Sequence, residues 1–223
     1  MCTLQAPVKL KRKRRMCSWF WSILWRLHHW DVALSYRIAF KPEEKKAQPF
    51  GYWLALLGAH LGDSWLWVLI AAWFWRQANQ HRQSQRRQLI LTWVVSVIAT
   101  TGVTLLIKRQ VRRERPGHGH LLYGAGPDVH SFPSGHAARL SSIAMWSHLL
   151  LPYGGWLAWP LLIFVSWCRV AIGIHYAGDV VAGTVVGSAT GLLFRRMLNQ
   201  KPEDRGQKAE DKEQKTDSLP SDL

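Results

Sequence analysis

From Lys108 to Asp179 the sequence holds a set of side chains suited to moving a phosphoryl group. Lys108 is followed by Arg115-Pro116, then come Pro133-Ser134-Gly135-His136, and then Arg169, His175 and Asp179. A phosphoryl group in transfer spreads negative charge over its equatorial oxygens, so its site needs fixed cations. Lys108, Arg115 and Arg169 supply them, the arginines as planar forks and the lysine as a point charge. Ser134 and Gly135 stand just before an apolar run, where free backbone N–H groups and the helix dipole favour an anion. His175 and Asp179 are spaced to share one face of a helix. The carboxylate then fixes the imidazole tautomer and leaves the other ring nitrogen free to attack phosphorus. His136 is placed to act as general acid toward the leaving oxygen and as base toward water. No carboxylate cluster suggests a metal, and neither a metal nor a cofactor is expected.

These residues need elements that bring them together. Hydrophobic residues are 48% of the chain, and the mean hydropathy is -0.09. That average conceals segregation, because charge and apolar residues occupy separate blocks. Apolar runs cover 51–75, 88–107, 136–151, 156–174 and 177–198, and an aromatic segment runs from Ser18 to about Phe40. A membrane helix needs about 20 apolar residues. The reading is all-α: a six-helix transmembrane bundle, with five clear spans and an N-terminal sixth. His60 and Asp63 interrupt the 51–75 run and read as a helix-packing pair or a kink near the interface. Residues 76–87 read as a short basic loop, and Pro152 to Gly155 as a tight turn.

Counting crossings puts all three motifs at one pole of the bundle. The chain divides into a basic N-terminal tail, 1–17, a membrane domain, 18–198, and a charged C-terminal tail, 199–223. The formal net charge of +15 fits anionic lipid headgroups, and the apolar runs argue against nucleic acid as partner. The 14 tryptophans suit membrane interfaces. Basic residues flank the membrane in both tails and in the 76–87 loop, which places these segments in the cytoplasm. The motif pole then faces outward.

The three motifs resemble those of the type 2 phosphatidic acid phosphatase (PAP2) family, which is related to bacterial class A acid phosphatases and vanadium haloperoxidases. Lys108 to Arg115-Pro116 and Pro133-Ser134-Gly135-His136 match the family pattern in full. Arg169, His175 and Asp179 match the third motif, with Cys168 where the family usually has Ser. A thiol there is expected to weaken a secondary phosphate contact. The resemblance implies a PAP2/haloperoxidase-like core and a phosphohistidine formed on His175. It implies that Asp179 orients His175 and that His136 is the acid/base. It implies phosphate binding by Lys108, Arg115, Ser134, Gly135 and Arg169. Arg109, Arg112 and Arg113 carry no family role, and His118, His120 and His130 read as polar loop residues.

The implied activity is metal-independent hydrolysis of a lipid phosphomonoester or diphosphate, in a bacterial inner membrane with the site on the periplasmic face. Undecaprenyl diphosphate leads the candidate substrates. Phosphatidate, phosphatidylglycerophosphate and lipid A, and transfer to another lipid in place of water, stay open. A vanadate-holding haloperoxidase fits the apolar spans poorly. A non-catalytic membrane protein that binds anionic lipid has no need of the His175–Asp179 pair.

Overall fold

The computed structural model describes residues 18–41, 44, 49–116, 129–151 and 153–199. The tails 1–17 and 200–223, with His118, His120 and Pro152, lie outside the described residues. Those described form helices and connecting turns, with no strand. The helices are α1 (Ser18–Ile38), α2 (Pro49–His60), α3 (Ser64–Gln80), α4 (Ser84–Val111), α5 (Gly135–Leu150), α6 (Gly154–Ala171) and α7 (Ala177–Asn199). Inside a bilayer every backbone amide needs an internal partner, and helices provide it.

The described helices number seven where six were expected, because the 51–75 run breaks at residues 61–63. The two halves, α2 and α3, meet at a bend of 53°. By length and composition α4, α6 and α7 suffice to cross a membrane, and α2 with α3 adds a broken fourth. The helices α1 and α5 fall outside that measure, so the sixfold span count is not reproduced. The expected 76–87 loop shrinks to residues 81–83. Gln and Arg are good helix formers, and their long stems lie along apolar surface while their heads reach water. The short turn closes with Arg82 at φ 50° and a bond from the Gln83 amide to the Ala78 carbonyl.

The central helix is α5, buried along most of its length and packed against α7, α6 and α4. The contact with α7 is close because α7 presents Gly183, Gly187 and Gly191 at four-residue spacing. A Cβ at Gly183 would collide with the Ser134 carbonyl oxygen, and one at Gly187 with the Ala138 carbonyl and the Ser141 hydroxyl. At Gly191 it would lie 3.0 Å from Met145 Cβ. Small residues let helix backbones approach in lipid, where dispersion and shape drive association. The two helices run parallel, so their N-termini lie side by side, joined by a 2.9 Å bond from the Ser134 amide to the Asp179 carbonyl. Apolar side chains such as Ile98, Ile163, Val181 and Val185 remain exposed on the outer faces of α4, α6 and α7. That distribution suits lipid as the surrounding medium.

Gly187→Ala is expected to force α5 and α7 apart and cost about 1–3 kcal/mol. A lowered thermal unfolding midpoint of the detergent-solubilised protein checks this.

Candidate active site

The sequence places cations at one end of α4. The structure ends α4 there with Arg112 in the left-handed region at φ 50°, its amide bonded to the Lys108 carbonyl. Lys108 is buried, and its Nζ donates to the His130 carbonyl at 2.7 Å. Past the turn, Arg115 Nη1 donates to the Ile174 carbonyl at 3.2 Å and Nε to that of Val129 at 3.3 Å. Arg115 is thereby tied to the segment carrying His175. His130 takes part through its carbonyl oxygen.

The N-terminus of α5 forms a second wall. Ser134 is its N-cap, yet its hydroxyl makes no side-chain cap and has no hydrogen-bond partner among the described residues. The first N–H groups of a helix lack intrahelical acceptors, so Gly135 and His136 open α5 with amides available to an anion. Arg169, fully buried near the end of α6, lies with Nη1 3.4 Å from His136 Nε2.

His175 lies in the turn between α6 and α7, just before the helix, and is buried. The expected shared helix face is therefore replaced by a turn that folds back on the α7 N-terminus. His175 Nδ1 is 3.6 Å from Asp179 Oδ2, an ion-pair distance longer than a hydrogen bond. The same Oδ2 accepts the Tyr176 amide at 2.8 Å. Neither ring nitrogen of His175 has a hydrogen-bond partner among the described residues. Burial pushes its pKa well below the usual imidazole value, and the nearby charges of Arg169, Arg115, Lys108 and His136 push it further. The ring is thus held neutral. Arg115 at the Ile174 carbonyl and Asp179 beside the ring bring motifs distant in sequence to this imidazole.

Three features escaped sequence reasoning. Arg113 binds two carboxylates, donating from Nη1 to Asp179 Oδ1 and from Nη2 to Asp31 Oδ2, each at 2.7 Å. Its guanidinium also lies 3.9 Å from the centroid of the Tyr176 ring. Asp31 in turn accepts the Gly178 amide at 2.6 Å, and the Ser35 hydroxyl accepts that of Ala177 at 2.9 Å. So α1 supplies the polar cap of α7. The signal available was an acidic residue inside the aromatic first helix.

The second is Asp63, whose Oδ1 lies 2.8 Å from His136 Nε2. The expected packing pair at the kink does form, with His60 Nδ1 2.8 Å from Asp63 Oδ2, but the carboxylate also meets His136. The third is Cys168. Its thiol packs against α2, where a Cβ at Gly58 would lie 2.5 Å from Sγ, among Ala55, Ala59 and Ala171. The expected weakening of a phosphate contact is therefore not supported: Cys168 faces the neighbouring helix, while Arg169 beside it faces His136.

Comparison with known proteins agrees with this geometry. Residues 89–203, about half of the chain, match the model of the PAP2 superfamily. The chain is 30% identical over 138 residues to decaprenylphosphoryl-5-phosphoribose phosphatase of Mycobacterium tuberculosis, covering 60% of this chain and 73% of that one. It is 29% identical over 123 residues to lipid A 1-phosphatase of Rhizobium etli, covering 50% and 53%. Its fold superposes with a TM-score of 0.64 on a transmembrane PAP2-type phosphatidylglycerolphosphate phosphatase from Bacillus subtilis. That match has 20% identity and covers 77% of this chain and 86% of that one.

Arg113→Ala leaves Asp31 and Asp179 sharing no cation and is expected to cost about 3 kcal/mol, read as a lowered unfolding midpoint with reduced turnover. A pH series gives a second check. The folded pKa of His175 is lowered, so its contribution to stability is complete above the unfolded imidazole value, about 6.5. It is lost as the pH falls below that value toward the folded pKa. His175→Gln should flatten that acid-side loss in a melting series.

Proposed function

Because the chain belongs to the PAP2 superfamily and is a membrane phosphatase, we propose that it hydrolyses a lipid-linked phosphate through a phosphohistidine on His175. The observation that carries this reading is a buried, neutral, unpartnered imidazole ringed by Lys108, Arg115 and Arg169. Buried polar atoms normally have partners, and an orphaned ring beside an orphaned Ser134 hydroxyl fits a site whose partner is the substrate.

In this mechanism Lys108, Arg115 and Arg169 hold the phosphoryl oxygens, with the Ser134 hydroxyl and the Gly135 amide. His175 Nδ1 faces Asp179, so Nε2 attacks. A bond forms from Nε2 to phosphorus as the bond from phosphorus to the leaving oxygen breaks, and His136 gives that oxygen its proton. Water then attacks phosphorus, His136 takes a proton from it, and the nitrogen–phosphorus bond breaks. The imidazole returns neutral, and no metal is called for in these steps. The pocket sits at one pole of a membrane bundle, which suits a lipid whose tail stays in the bilayer. The name of the mycobacterial relative supports a polyprenyl carrier, and undecaprenyl diphosphate remains the leading candidate. The basic 76–87 segment favours a cytoplasmic opposite pole and an outward-facing, periplasmic site.

Detergent-purified protein should release inorganic phosphate from a panel of undecaprenyl diphosphate, phosphatidate, phosphatidylglycerophosphate and lipid A. Vanadate should inhibit release and EDTA should not. His175→Ala should lower it by roughly 10⁴-fold or more. Undiminished release by that variant contradicts the proposal.

A further inference from the structure

The bend between α2 and α3 wraps the imidazole of His136. A Cβ on Gly62 would lie 2.5 Å from His136 Cδ2 and 3.1 Å from its Cβ, so the backbone there lies against the ring. Asp63 Oδ1 is 2.8 Å from Nε2, and Asp63 Oδ2 is 2.8 Å from Nδ1 of the half-exposed His60. Arg139, one turn along α5, donates from Nη2 to the Gly62 carbonyl at 3.3 Å. The same Nη2 stands 3.4 Å from His136 Nδ1. A break in a membrane helix is thus devoted to one side chain on another helix.

We infer that Asp63 is a positioning residue for His136, setting the tautomer and stabilising the protonated form of the ring that gives the leaving oxygen its proton. The inference rests on the acid/base role proposed for His136. An ionised carboxylate only accepts hydrogen bonds, so a neutral His136 facing Asp63 carries its hydrogen on Nε2. When His136 is protonated it faces Arg169 from α6, Arg139 on its own helix and, across the pocket, His175, which is neutral. Two guanidinium groups oppose an imidazolium, and Asp63 is the carboxylate beside it that favours one. His60 holds the second carboxylate oxygen and keeps the first aimed at the ring. An interhelical pin with no catalytic part would need the contact but not the negative charge.

The test compares Asp63→Asn, nearly the same shape without the charge, with wild type and Asp63→Glu. Two substrates are used: a lipid phosphate with a poor leaving group, and p-nitrophenyl phosphate, whose leaving group needs little protonation. In Asp63→Asn, kcat on the lipid phosphate should fall about 10²-fold or more. The initial burst of nitrophenolate should fall at least about tenfold less than that, following the same dependence on acid catalysis. The alkaline limb of kcat/KM should move to lower pH, and Asp63→Glu should restore part of the lipid turnover. Equal losses on both substrates, with an unmoved pH profile, would reduce Asp63 to a pin and overturn the inference. Should Asp63→Asn fail to fold, Asp63→Ser, which also removes the charge, carries the same comparison, and equal losses on both substrates with an unmoved alkaline limb overturn the inference there too. His136→Ala separates the two levels: full lipid turnover there removes the acid/base role itself, whereas a crippled His136→Ala beside a normal Asp63→Asn removes only the part given to Asp63.

Discussion

The site depends on the close parallel packing of α5 and α7. Each helix begins with part of the proposed site: Ser134, Gly135 and His136 on one, Asp179 on the other with His175 just before it. The glycine face of α7 lets the backbones touch, and the Ser134 amide binds the Asp179 carbonyl where they meet. The first amides of α5 face this space, while those of α7 are taken by Asp31 and Ser35 of α1. Lipid alone would not draw these helices together, so shape carries the association.

Lys108 and Arg169 are buried, and burial disfavours charge that lacks compensation. Carbonyl oxygens face two of the cations, that of His130 at Lys108 and that of Ile174 at Arg115. Negative charge is supplied from outside the pocket. Asp179 and Asp31 share Arg113, and Asp63 lies beyond His136. The carboxylates thus stand beside the histidines, Asp63 at His136 and Asp179 at His175. Fixed charge arranged before the substrate arrives need not reorganise during reaction.

Much of the site was legible in the sequence because its motifs are short and each opens or closes a helix. Lys108, Arg115, Arg169 and His175 do meet, and the apolar runs gave the helices within a few residues. The interactions that were missed join residues far apart in the chain. Nothing local to Arg113 indicates Asp31, and nothing local to Asp63 indicates His136. The break at residues 61–63 was marked by its ionisable residues, but a one-dimensional pattern does not say which neighbour a kink serves. Cys168 shows the converse limit. A motif position implies a role, while its neighbours on α2 decide where the side chain goes.

The central claim is that His175 forms a bond to phosphorus. Rapid quenching of turnover on a lipid phosphate, followed by mass spectrometry of the peptides, tests it most directly. An acid-labile, base-stable phosphate is expected on the peptide carrying His175, formed and lost at rates that match turnover. A phosphate stable to acid, one on another residue, or turnover with no phosphorylated peptide under conditions that preserve phosphohistidine would contradict it.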